Sequence, residues 1–136
     1  MYNVLIIGYG VVGRNLEKEI KSLSPDIFDK YLESSMLLMT SLYEPFGLVL
    51  VEAMSCGLPV VAFDCPYGPA DIIHDGKDGF LVEDRNIEAY ADKVCQLIEN
   101  ENLRSEMGHA ACISSQCYKA ENIMPQWVNL FEQLKK

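Results

Sequence analysis

Short unbroken apolar runs alternate along the chain with segments whose apolar residues recur every three or four positions. Asn3-Val-Leu-Ile-Ile-Gly8 reads as a buried strand, and Leu16, Ile20 and Leu23 then recur at helical spacing with charged residues between them. Ser24-Pro25-Asp26 ends that helix. The pattern restarts with a short helix at residues 31–34, a strand at 35–41, a loop at 42–46 and a helix at 47–55. A second apolar strand spans 59–64, followed by a turn-rich stretch to residue 69, a helical turn at 70–74 and a short strand at 80–83. Beyond Asp84, residues 87–100, 103–117 and 123–134 all carry helical periodicity. Continuously apolar strands separated by helices predict a parallel sheet covered on both faces. The expected fold is therefore α/β: a small Rossmann-like parallel sheet with helices on both faces and a helical C-terminus. Ligands of such sheets bind where loops leave the strands' carboxyl ends, which selects residues 8–14, 42–47 and 64–71.

Composition narrows the partners. The 136 residues suit a single domain, and 49% apolar with 23% charged residues is globular composition. A net charge of −9 argues against nucleic acid and against a polybasic membrane surface. No apolar run approaches the roughly 18 residues of a membrane span. Met1-Tyr2-Asn3 has no basic signal-peptide start, so a cytoplasmic location is expected, with a peripheral place at the inner membrane face kept open. Five cysteines without paired spacing read as free thiols. His109, Cys112 and Cys117 match no common zinc spacing, and no metal is expected.

The densest chemistry lies in Glu44-Pro-Phe-Gly-Leu-Val-Leu-Val-Glu52. Pro45 and Gly47 hold Glu44 outside the helix, on the loop after a strand. Glu52 falls in the second turn, on the face of Leu48 and Val49. The free N–H groups of a first helical turn attract phosphate, and a carboxylate accepts hydrogen bonds from vicinal hydroxyls. An anion at the helix start would have Glu44 before it and Glu52 beside it, an arrangement suited to a nucleotide sugar. Spacing alone also permits a solvated loop acid and an exposed helical acid over a plain apolar core.

Residues 31 to about 134 resemble the C-terminal part of a family 4 retaining glycosyltransferase of the GT-B fold. The likeness is carried by Tyr31-Leu-Glu-Ser-Ser-Met-Leu-Leu-Met-Thr-Ser41, by the E-x7-E segment continuing through Ala-Met-Ser-Cys-Gly57-Leu-Pro-Val-Val-Ala-Phe63-Asp64, and by Gly68-Pro-Ala-Asp-Ile-Ile-His-Asp-Gly-Lys-Asp-Gly-Phe-Leu-Val82. The resemblance implies that Glu44 contacts the donor sugar and acts in catalysis, and that Glu52 binds the ribose. It implies that the backbone of Phe46, Gly47, Leu48 and Val49 approaches sugar and diphosphate. It further implies metal-independent hexosyl transfer with retention from an NDP-sugar, often UDP-linked, in polysaccharide or glycoconjugate assembly, with no cofactor required. The acceptor is not named by the motifs. The family's acceptor domain has no counterpart in these residues. No Lys or Arg lies between Lys30 and Lys77, which leaves Arg14 and Lys18 as the upstream cations for a departing diphosphate. Donor binding is thus expected more than turnover.

The first thirty residues resemble a different family. Gly8-x-Gly10-x-x-Gly13 between a strand and a helix, with Asp26 or Asp29 about twenty residues on, resembles the opening of an NAD-dependent nucleotide-sugar dehydrogenase. That resemblance implies NAD pyrophosphate at Gly8, Gly10 and Gly13 and a ribose on Asp29. The glycines equally suit a bare strand-to-helix turn. Residues 1–30 and 31–136 therefore read as two segments joined near residue 30 within one compact unit. An NAD-binding fragment and a non-catalytic remnant stand as the alternatives. Asp64, Asp71 and His74 are expected at one sheet edge, and Trp127, Leu130, Phe131 and Leu134 form a stripe that either folds onto the sheet or supports self-association.

Overall fold

The computed structural model describes residues 27–135 and, for its backbone, strand Val4–Ile7. The expected helix carrying Leu16, Ile20 and Leu23, and the turn at Gly8, Gly10 and Gly13, lie outside the described residues. In chain order the elements are β1 (Val4–Ile7), α1 (Ile27–Glu33), β2 (Met36–Met39), α2 (Leu48–Ser55), β3 (Val60–Phe63), α3 (Gly68–Ile72), β4 (Gly79–Val82), α4 (Ile87–Glu99), α5 (Glu101–Ser115), a 3-10 turn (Gln116–Tyr118) and α6 (Ala120–Leu134).

The four strands form one parallel sheet in the order β1-β2-β3-β4, the α/β architecture that the apolar runs predict. Alternation within each strand separates two cores. Leu37, Met39, Val60 and Ala62 face a layer made by Tyr31 of α1, Leu50, Ala53 and Met54 of α2, and Ile72 of α3. Met36, Leu38, Val61, Phe63, Phe80 and Val82 face Tyr90 and Leu97 of α4. Helix α5 serves both, with Ala111 in the first cluster and Met107 in the second. Both faces are covered, so the strands need no polar face. The buried Tyr90 hydroxyl is satisfied by donating to Val61 O at 2.7 Å and Met39 O at 3.3 Å.

Helix boundaries follow capping more than apolar period. Asn86 starts α4 by accepting from Ala89 N at 3.1 Å, and Asn100 starts α5 by accepting from Leu103 N at 3.0 Å. Helix α1 begins at Ile27, ahead of the expected residue 31, because Ile27 and Tyr31 stack on one face against the first core. Residues 29–31 therefore lie inside a continuous helix. Helix α3 begins at Gly68 where a turn is expected, since Pro69 has no N–H to lose in a first turn.

One expectation changes, and one open alternative is decided. His74 does not share an edge with Asp71. The five-residue α3 carries the chain back across the layer, and the turn after it leads into the first residue of β4 at the opposite edge. There His74 N–H and Nδ1 each lie 2.8 Å from the carboxylate of fully buried Asp78. The C-terminal stripe does not fold onto the sheet: Trp127, Leu130, Phe131 and Leu134 are all exposed. Among the described residues no helix is long and apolar enough to cross a membrane.

Candidate functional site at the carboxyl edge of the sheet

The register pairs Ile7 with Met39, Met39 with Ala62, and Phe63 with Val82, so the segments leaving all four strands emerge at one edge. The loop after β2 carries Glu44. Its backbone is clamped, because Glu44 N–H donates to Pro66 O at 3.5 Å and Gly68 N–H donates to Glu44 O at 2.8 Å. This one-rung parallel bridge between Glu44 and Tyr67 ties the loop after β2 to the loop after β3. Gly68 is required at the crossing, since a Cβ there would overlap the backbone of Phe46. Tyr67 is held at φ 83°, a conformation that costs an ordinary residue about 1–3 kcal/mol.

Gly47 caps α2 in the left-handed conformation, φ 96° and ψ 47°, and supplies no side-chain hydrogen bond. Leu50 and Val51 N–H donate to Gly47 O at 2.9 and 3.4 Å. Among the described residues the Leu48 and Val49 N–H groups have no acceptor. The tip is open: Leu48 is 66% exposed. The Glu44 side chain lies against it, with Cγ 3.5 Å from where a Gly47 Cβ would stand. Glu52 sits half-buried one turn into α2, and its Oε2 accepts from the Tyr31 hydroxyl at 3.0 Å. Burial, reinforced by the neighbouring Glu52 charge, pushes the Tyr31 phenol far up, so it stays a donor.

Phe46 packs edge-on against Tyr118 at 5.9 Å, and the Tyr118 hydroxyl donates to Asp71 O at 3.1 Å. An open cleft of about 390 Å³ is lined by Leu42, Tyr43, Glu44 and Pro45. Tyr43 and Tyr67 meet edge-to-face beside it at 5.6 Å. Burial raises the pKa of Cys65 at this edge, which keeps the thiol protonated. Arg85, which follows β4 at the same edge, lies 3.5 Å from Asp84.

The structure thus places Glu44, Phe46, Gly47, Leu48 and Val49 at one open helix start, with Glu52 one turn further on and bonded to Tyr31. Gly8, Gly10 and Gly13 lie outside the described residues, though β1 leads toward this edge. Asp29 is an exposed residue in the first turn of α1. Sequence reasoning missed Tyr31 as the partner of Glu52 and Tyr67 as the partner of Glu44. Neither pairing has a local signal, because tertiary packing joins distant segments.

The described residues thus show an open helix start at the carboxyl edge of a parallel sheet, with Glu44 beside it and Glu52 one turn further along α2. The family model of the glycosyl transferases group 1 matches residues 2–112. The chain belongs to that family. A poly(ribitol-phosphate) alpha-N-acetylglucosaminyltransferase of Staphylococcus aureus (strain COL) is 41% identical over 138 residues, covering 93% of this chain and 28% of that protein. The amylovoran biosynthesis glycosyltransferase AmsD of Erwinia amylovora is 41% identical over 109 residues, covering 80% of this chain and 30% of that protein. A crystal structure of an S. aureus TarM mutant in complex with fondaparinux, alpha-GlcNAc-glycerol and UDP matches with a TM-score of 0.73 at 39% identity, covering 93% of this chain and 28% of that one. The chain spans less than a third of the length of these two curated relatives. The fold is that of the donor-binding part of a GT-B glycosyltransferase. Because the family match begins at residue 2, it takes in the glycine-rich turn, and the dehydrogenase resemblance gains no support.

Proposed function

We propose that this chain binds the nucleotide-sugar donor of a retaining hexosyltransferase, UDP-linked, in polysaccharide or glycoconjugate assembly. The observation that carries the reading is the open start of α2, where two N–H groups between Glu44 and Glu52 have no acceptor among the described residues. The donor diphosphate sits at Leu48 and Val49 N–H, where the helix dipole favours negative charge. Glu44 accepts from the sugar hydroxyls near the reacting carbon, the catalytic position, and Glu52 accepts from the ribose. The Phe46 and Gly47 backbone shapes the floor between them. Departure of the diphosphate is aided by fixed donors and cations, with no divalent ion and no other cofactor. Arg14 and Lys18, which lie outside the described residues, are the sequence's candidates for those cations. Pairing of β1 with β2 supports treating residues 1–30 and 31–136 as one unit. A cytoplasmic location and an acceptor of sugar or lipid-linked type complete the reading.

Calorimetric titration with UDP, UDP-GlcNAc and NAD tests it. The expected result is UDP and UDP-GlcNAc binding that falls about tenfold in Glu52→Ala, the loss of a charge-assisted hydrogen-bond set. No response to UDP, or a preference for NAD abolished by a bulky replacement of Gly10, overturns the reading.

A further inference from the structure

We infer that Tyr31 is a positioning residue for the nucleotide: its hydroxyl holds the Glu52 carboxylate in the one orientation that presents the free oxygen to the ribose. The inference rests on the proposal that Glu52 binds the ribose. Tyr31 is 1% exposed, yet its hydroxyl bonds to a partly buried carboxylate at 3.0 Å across α1 and α2. A tyrosine placed here for packing alone would leave a buried hydroxyl to satisfy, and an apolar residue would avoid that cost. The bond fixes Oε2 of Glu52. A carboxylate held by one oxygen keeps its second oxygen and remaining lone pairs for hydroxyl donors.

The geometry also makes the arrangement rigid. Phe28 packs edge-on against the Tyr31 ring at 5.8 Å, and Tyr31 lies in the same core cluster as Leu50, Ala53 and Met54 of α2. The donor and the helix that bears Glu52 are therefore locked to one another before any ligand arrives. Pre-set orientation removes the rotamer entropy that a free glutamate loses on binding. The high phenol pKa keeps the proton on Tyr31 at any working pH, so the carboxylate always faces a donor.

The test compares UDP with 2′,3′-dideoxyuridine diphosphate, which lacks both ribose hydroxyls, on the full chain and its variants. The unsubstituted chain should prefer UDP. Tyr31→Phe, which deletes only the hydroxyl, should shrink that preference about five- to tenfold and leave affinity for the dideoxy ligand within twofold. In Glu52→Gln the preference should vanish, and adding Tyr31→Phe should change nothing more. If Tyr31→Phe weakens both ligands equally, or keeps the full preference, the positioning role is overturned while the Glu52 reading survives. If Glu52→Gln itself keeps the full preference, the ribose reading falls and takes the positioning role with it. A measurement on the unsubstituted chain guards against a folding artefact. The Tyr31 hydroxyl proton resonance should shift on addition of UDP and not of the dideoxy ligand, and equal shifts or none overturn the role.

Discussion

The two edges of the sheet treat polar groups in opposite ways. At the carboxyl edge, two first-turn N–H groups of α2 have no acceptor among the described residues, Tyr67 is held at positive φ, and Leu42, Tyr43, Phe46 and Tyr67 are exposed. At the amino edge, the turn before β4 closes on itself. Asp78 accepts from His74 N–H and lies 2.8 Å from its Nδ1, Asp75 accepts from Leu81 N at 3.0 Å, and Gly76 N–H donates to Gly79 O at 2.9 Å. Among the described residues, one edge keeps two N–H groups without acceptors, strain and apolar surface, while the turn at the other pairs its groups within itself. Unmet local demands in a well-packed domain mark the place where something else is meant to bind.

The sharpest way to break this contrast is Gly68→Ala. Its Cβ would overlap the Phe46 backbone, so the two loops of the carboxyl edge must part. A loss of about 3 kcal/mol in urea unfolding is expected, with loss of UDP binding in the molecules that still fold. Asp78→Ala attacks the other edge. It removes two charge-assisted hydrogen bonds from the turn and should cost about 2–3 kcal/mol in the same assay. UDP affinity of the folded fraction should not change, because the turn is at the far edge. An equal loss of binding in both variants would erase the distinction between edges.

A pH series separates core from edge. Tyr31 and Tyr90 both have pKa values raised from the ordinary 10.0, mainly by burial. A raised folded-state value means that the folded form holds its proton longer, so their contribution is intact below pH 10 and declines as the pH climbs beyond it. Unfolding midpoints should fall above pH 10, and Tyr90→Phe should make that fall shallower. The smallest effect is expected at Tyr67. Tyr67→Gly relieves the positive φ and should raise stability by up to about 1 kcal/mol while removing the aromatic edge beside Tyr43. A loss of stability there would show that the Tyr67 side chain, and not its backbone, holds the loop.

The strands were legible because each is a short apolar run, as a doubly covered parallel strand tolerates; β2 and β3 fall within their expected spans, and β4 begins one residue ahead of its own. The candidate site was legible for a similar reason. Pro45 and Gly47 break the chain just before an apolar helix, and local chemistry of that kind survives folding. His74 was misplaced because nearness to Asp71 in sequence says nothing of edge, and α3 is only five residues long. The stripe on α6 was legible as amphipathic, but its periodicity is the same whether it covers a sheet or faces outward. The structure leaves it exposed.

By itself, then, the amino-acid order determined which segments are strands, where the helix bearing Glu52 begins, and which acids bracket that start, since these depend on neighbours along the chain. Only the tertiary structure decided that Tyr31 meets Glu52, that Tyr67 is strained against Glu44, and that His74 turns to Asp78. The first two of those pairings join side chains or backbones far apart in sequence. His74 and Asp78 are close in sequence, but their edge of the sheet is set by how the short α3 crosses the layer. Such positions are fixed by the packing of whole helices against the sheet, a sum over many weak contacts that no short stretch of residues encodes.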